Sequence, residues 1–255
     1  MSRWHVPAAA VLTVLFLVCA VSDTGAQELA DLTTGDFNRD GLWDVVVTRF
    51  EQDRIDVYSA AGPDTFGAPV GYPVEGPVAL AVLDIEGDSD SDVAVACASP
   101  HAVRIFCNSG SGQFAQGQVV YLDYQPLTVV PSQSNAARCD LFVFDLDFQL
   151  RHVLMNDGYG LFVPVEPPVG PDPGAEPGID YWVTCGNEPP PPNPNPDGVQ
   201  ECIEAAHARA DRCTWAACVL RESGEIGFLR YAGAMMTCHF IHDLEATFCV
   251  KELIE

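Results

Sequence analysis

A step of 48 residues runs through the first two thirds of this chain and restricts its fold more than any other feature. Phe66, Phe114 and Phe162 stand 48 residues apart. Each closes a turn rich in Gly, Asn, Asp or Ser: Ala61-Gly62-Pro63-Asp64-Thr65, Asn108-Ser109-Gly110-Ser111-Gly112-Gln113 and Asn156-Asp157-Gly158-Tyr159-Gly160-Leu161. An acidic run keeps the same step, starting at Asp36 and again at Asp84. A fixed period of this length, with room for four short strands per unit, points to a propeller or an array of blade-like units. Such units bury their apolar faces only by stacking on neighbours. The fold class expected is mainly β, three propeller-blade-like repeats of about 48 residues, with a small C-terminal α-helical hairpin, so α+β over the whole chain.

The acidic runs carry the chemistry. Counted from Asp36, oxygen-bearing side chains fall at the first, third, fifth and ninth positions (Asp36, Asn38, Asp40, Asp44), with Gly41 at the sixth. Alternate residues of so short a loop turn inward, and the glycine permits its sharp bend. An all-oxygen set with several carboxylates suits Ca²⁺. Leu42, at the seventh position, is counted with them. An EF-hand would need a Glu at the twelfth position, where Val47 stands, and the loop leads into the β-branched run Asp44-Val45-Val46-Val47-Thr48. It is therefore a calcium loop in a β setting. The second loop offers Asp84, Glu86, Asp88, Asp90 and Asp92, with Ser89 in place of the glycine and the longer Glu86 in place of the Asn.

Asp36–Asp44 followed by Val45-Val46-Val47, together with Thr65-Phe66-Gly67-Ala68-Pro69, resembles the FG-GAP/VCBS-type repeat of extracellular β-propellers. The resemblance spans roughly Leu29 to Val169, the β-repeat domain being residues 29–169. In the third repeat Ser132, Ser134 and Ala136 stand where ligands belong and only Asp140 survives, so two calcium sites are expected. The resemblance implies binding or adhesion at or outside the cell surface, toward a protein or polysaccharide partner, through loops on a rigid scaffold. Related propellers bind or flank sugars, which makes a lectin-like or enzyme-accessory module the alternative. In a third reading the repeats are a structural scaffold that presents the C-terminal hairpin.

Strands are expected at Asp44–Arg49, Arg54–Ala60, Pro69–Val74 and Val78–Asp84 in the first repeat. The second has Asp92–Ala98, Val103–Asn108, Val119–Tyr124 and Leu127–Ser132, and the third Asp140–Asp147, Arg151–Asn156 and Phe162–Val165. Three repeats are too few to close a propeller without leaving edges and apolar faces open. The open routes are an extended array, a homo-oligomer, or capping by the C-terminal part.

Residues 1–26 read as a secretory signal peptide: Arg3, an apolar run from Val6 to Val21, then small residues before Gln27. Cleavage is placed after Ala26, with Ala20 the second choice. The chain is expected to be secreted, extracellular or periplasmic, with no membrane span. A formal charge of −24 excludes a generic nucleic-acid binder, which needs basic surface.

Pro-rich residues 170–197 read as a semi-rigid linker. Beyond it, 198–255 reads as two helices, Val199–Arg221 and Glu225–Leu253, broken at Ser223-Gly224, with Asp197 and Gln200 as an N-terminal capping pair. Cys202 and Cys213 are 11 residues apart, as are Cys238 and Cys249. Eleven residues make about three turns, so each pair shares one face. An antiparallel hairpin sets Cys202 opposite Cys249 and Cys213 opposite Cys238, which predicts two disulfides. Cys185 with Cys218, and Cys97 with Cys107, are further candidate pairs, leaving Cys139 single. His207, His239 and His242 read as the exposed side of an amphipathic helix rather than a zinc site. No nucleophile-plus-base pattern, zinc-protease motif or phosphate loop is present, so no enzyme is expected.

Overall fold

The computed structural model describes residues 29–132, 139–167, 198–222 and 228–254. The expected signal peptide and linker, together with Ser134, Ala136, Cys185, Asp197 and the side chain of Cys218, lie outside the described residues. Within them the fold is mostly β, with four sheets and two C-terminal helices.

Three of the sheets are antiparallel four-stranded meanders. The first runs β1 (Leu29–Gly35), β2 (Asp44–Arg49), β3 (Arg54–Tyr58) and β6 (Val70–Pro73). Between its last two strands a ribbon of β4 (Ala60–Gly62) and β5 (Thr65–Phe66) is inserted. The second runs β7 (Pro77–Leu83), β8 (Asp92–Ala98), β9 (His101–Asn108) and β10 (Phe114–Tyr121). The third runs β11 (Pro126–Pro131), β12 (Leu141–Asp145), β13 (Leu150–Asn156) and β14 (Phe162–Val165).

The units are phased one strand earlier than the sequence reading set them. The segment assigned to the end of the first repeat, Val78–Asp84, is β7 and opens the second sheet; Leu127–Ser132 likewise gives β11 and opens the third. The reason is local. Each acidic loop joins antiparallel neighbours, β1 to β2 and β7 to β8, so the strand before the loop belongs to the same sheet as the strand after it.

The sheets pack on one another through alternate faces. Val93, Val95 and Cys97 of β8 join Val46, Ile55 and Val57 of the first sheet, while Ala94 and Ala96 face Val129, Leu141 and Val143 of the third. With both faces covered, β8 is buried from Asp92 to Cys97. Helices α1 (Val199–Glu222) and α2 (Phe228–Ile254) cover the two faces that remain. Tyr231, Ala232 and Met235 pack on Val130, Phe142, Phe144 and Val153 of the third sheet. Ile203, Ala246 and Val250 pack on Leu32, Val45, Val47 and Tyr58 of the first. The buried clusters thus run from first sheet to second, second to third, third to hairpin, and hairpin back to first. The C-terminal hairpin thus packs against both the first and the third sheet.

The hairpin is stapled as its cysteine spacing predicts, by Cys202–Cys249 and Cys213–Cys238, with Cα separations of 5.7 and 5.6 Å. Loops of these lengths give roughly 3–4 kcal/mol per cross-link in the chain-entropy model. The helix start differs from the reading. Val199 N–H donates to Asp64 Oδ1 (2.9 Å) in the turn between β4 and β5. Gln200 pairs both ways with the Trp43 backbone, its Oε1 accepting at 2.6 Å and its Nε2 donating at 3.0 Å. Both polar groups dock the helix onto the first sheet.

Cys97 and Cys107 are not bonded; they and Cys139 are free thiols. The register explains it. Cys97 lies opposite Ala102, and Val93 opposite Phe106, which sets Cys107 several residues further along the ladder. The two also face different clusters. Burial drives each free thiol up to about 12, so all three stay protonated.

Candidate functional site

The two acidic loops fold alike at their tips. In the first, Asp36 accepts N–H bonds from Asp40 (3.1 Å) and Gly41 (3.0 Å), and Asp40 Oδ1 accepts from Leu42 (2.8 Å). In the second, Asp84 accepts from Asp88 (3.2 Å) and Ser89 (2.9 Å), and Asp88 Oδ1 from Asp90 (3.0 Å). Both need left-handed backbone at the fourth and sixth positions: Arg39 and Gly41 at φ 60° and 82°, Gly87 and Ser89 at 76° and 68°. Each loop has one glycine for two such positions, and they use it at opposite ones.

The ninth-position aspartates are built differently. Asp44 is fully buried; its Oδ2 accepts from Phe37 N (3.0 Å) and its Oδ1 from Ala60 N (2.8 Å). Asp92 repeats this with Ile85 N (2.8 Å) and Asn108 N (2.7 Å). Asp140 accepts from Asn156 N (2.8 Å), the same sixteen-residue reach. Asp44 ties its loop to the start of the β4–β5 ribbon and Asp92 ties its loop to the end of β9, while Asp140 holds the end of β13. Asp140 therefore has a structural reason to persist in a repeat whose other ligand positions are lost.

Burial raises Asp44 to about 6, against the relief given by its two N–H donors, with Asp40 and Asp36 adding repulsion. Asp92 rises further, to about 7: burial leads again, and Glu86 both repels it and shares a hydrogen bond with it. A cation would ease either site by favouring the ionised carboxylates. Asp90, counted among the ligands, is buried and paired with Arg39, whose guanidinium reaches across from the first loop and also donates to Asp88 O (3.0 Å). Among the described residues no group of three or more His, Cys, Asp or Glu side chains is arranged to hold a metal ion. Asp36, Asp40, Asp44, Asp84, Asp88 and Asp92 accept from backbone amides instead, Asp90 faces Arg39, and Glu86 faces Asp92.

Two residues that ligand-pattern reasoning passed over join the sheets. Asn108 Nδ2 donates to Phe37 O (2.7 Å) and Asn156 Nδ2 to Ile85 O (2.8 Å), each 71 residues back and inside the preceding unit's acidic loop. Their signal was present, since they open two of the Phe-closed turns and stand 48 apart. Ala60 holds the matching place in the first sheet, which has the hairpin rather than another sheet before it.

The histidine reading is corrected. His242 is buried and His207 and His239 are half-buried, and all three line a partly open pocket between the helices and the inner strands, because the hairpin turns this side toward β1 and β7. Burial, then the neighbouring His242, pushes His207 down to about 3, so it is neutral. Comparison with known proteins adds no relative: no family model matches the chain, and no curated protein matches it significantly.

Proposed function

We propose that this is an exported calcium-binding repeat protein of FG-GAP/VCBS type. Its three meanders are blade-like units, and it serves as a binding or adhesion module outside the cell. The observation that carries this reading is the loop-to-strand bonding repeated at Asp44 and Asp92, which fixes two oxygen-rich loops in equivalent places. Asp36, Asn38, Asp40 and the Leu42 carbonyl would hold the first ion, with Asp44 behind them; Asp84, Glu86, Asp88 and Asp92 would hold the second. Bound Ca²⁺ supplies the positive charge that these buried and crowded carboxylates lack. Two disulfides in the hairpin, and no described helix long and apolar enough to cross a membrane, agree with an exported chain.

A polysaccharide partner is the second reading, and one feature favours it. A groove of about 660 Å³ at the third sheet is lined by Tyr121, Phe148, Gln149, Arg151, Asp123 and Glu166. Aromatic surface beside planar hydrogen-bonding groups is what a sugar ring requires. Ile203, Tyr231, Ala232, Met235, Ala246 and Val250 of the hairpin are covered by the first and third sheets, which supports a role in packing against the repeats, while Phe248 and Ile241 stay exposed.

The test is binding of the purified chain to glycan and extracellular-protein arrays, in Ca²⁺ and in chelator. Calcium-dependent binding to either array supports the module, and Tyr121→Ala then separates the two partners. Identical, partner-free behaviour in both buffers would reject it.

A further inference from the structure

The cavity beneath the hairpin has a volume of about 200 Å³ and is lined by Thr34, Trp43, Ser91, His207, Met235 and His242, among others. Its three histidines have separate roles. His239 Nε2 donates to Leu80 O on β7 (3.0 Å) and lies 3.2 Å from Asp243 Oδ2, so this ring latches the helix to the inner strand. His242 is 6% exposed, and its Nδ1 lies 2.9 Å from Asp243 Oδ1. The Nδ1 proton therefore goes to the carboxylate, and Nε2 keeps its lone pair. That Nε2 is buried with no hydrogen-bond partner. The His207 ring lies 4.4 Å away, centroid to centroid and tilted by 56°, with its own Nε2 2.7 Å from Thr34 Oγ1.

We propose that His207 and His242 form a two-imidazole site for a nitrogen-preferring divalent transition ion, Zn²⁺ or Cu²⁺, inside this cavity. Metal-binding histidines donate their second ring N–H to an oxygen, which fixes tautomer and orientation. Asp243 accepts in this way from His242, and Thr34 Oγ1 lies 2.7 Å from His207 Nε2, where it can accept likewise. A buried lone pair with no donor opposite it calls for an electron-pair acceptor, and imidazole nitrogen prefers these ions to Ca²⁺ or Mg²⁺. The volume is below that of pockets for drug-sized molecules, roughly 300–1,000 Å³, and suits an ion with its waters. No third His, Cys, Asp or Glu among the described residues is placed to join them, so water completes the coordination. Both imidazoles lie on the hairpin, while Trp43 and Ser91 of the acidic loops form part of the cavity wall.

The test is Zn²⁺ titration of the metal-free mature chain by calorimetry, with metal content measured after dialysis. One ion per chain is expected, bound about tenfold or more weakly in His207→Gln and His242→Gln and unchanged in His101→Gln. Asp243→Asn should weaken binding about 10–100-fold, as loss of an orienting partner does. Trp43 stacks on His207 at 3.9 Å, so Cu²⁺ should quench its fluorescence, and Trp43→Phe should remove the quenching. Equal affinity in wild type and either histidine variant, fractional stoichiometry, or equal quenching without Trp43 would overturn the site. If the histidine variants do not fold, the Trp43 comparison decides.

Discussion

The first acidic loop and the second share one backbone plan but differ in how they are balanced electrically. The first has Asn38 at its third position and sends its one cation, Arg39, out to its neighbour. The second has Glu86 there, crowding Asp92, and takes Arg39 onto Asp88 and Asp90. One loop thus exports its positive charge, whereas the other is more acidic and partly neutralised from outside. Equivalent sequence positions do not make equivalent sites, because each loop sits against a different neighbour.

The largest expected effect separates framework from ligands. Asp44→Ala and Asp92→Ala each strand two buried backbone N–H groups, at about 1–3 kcal/mol apiece. Each should cost about 2–5 kcal/mol in chemical denaturation, with or without Ca²⁺. A loss seen only with Ca²⁺ would make these residues ligands first. Asp40→Ala and Asp88→Ala should behave in the opposite way: near wild type in chelator, but without their share of calcium stabilisation, about 2.7 kcal/mol at a hundredfold excess over Kd. Asn156→Ala removes the cross-sheet donor to the Ile85 carbonyl and should cost about 1–3 kcal/mol, whereas Asn108→Ala should cost less, because Gly112 N–H also donates to the Phe37 carbonyl at 2.8 Å.

The pH dependence sharpens the contrast. Asp44 and Asp92 are raised in the folded state, so their contribution to stability is full below the unfolded carboxylate range, near pH 4. It is lost as pH rises through about 6 for Asp44 and about 7 for Asp92. In chelator the Tm should therefore fall between pH 5 and 8, and Asp92→Asn should remove the later part of that fall. Calcium needs the ionised forms, so the gap between calcium and chelator should widen over the same range. A flat chelator profile would refute the crowding. The smallest effect is at Ser89, held at φ 68°: Ser89→Gly should stabilise by up to about 1 kcal/mol, and Gly41→Ala should cost a similar amount. A Cβ at Gly41 meets nothing within 4 Å, so that cost is conformational alone.

Much of this was legible in the sequence because it is local. The 48-residue step, the loop spacing and the β-branched runs located the acidic loops and most strands, and the paired cysteine spacing gave both hairpin disulfides. What was not legible depends on the faces that meet. Strand phase failed because a loop pattern does not say which flanking strand shares its sheet. The Cys97–Cys107 pair failed because neighbouring strands do not imply opposed residues. The histidines were misread because a hairpin of modest amphipathicity shows which side is buried only once the first and third sheets close on it.

One measurement bears most directly on the proposed role of the acidic loops: the Tm of the mature chain with millimolar Ca²⁺ and with chelator, in wild type and in an Asp40→Ala, Asp88→Ala double variant. The result expected is a clear rise with Ca²⁺ in wild type that the double variant lacks. An unchanged wild-type Tm would contradict it and leave both loops as acidic turns that only join strands.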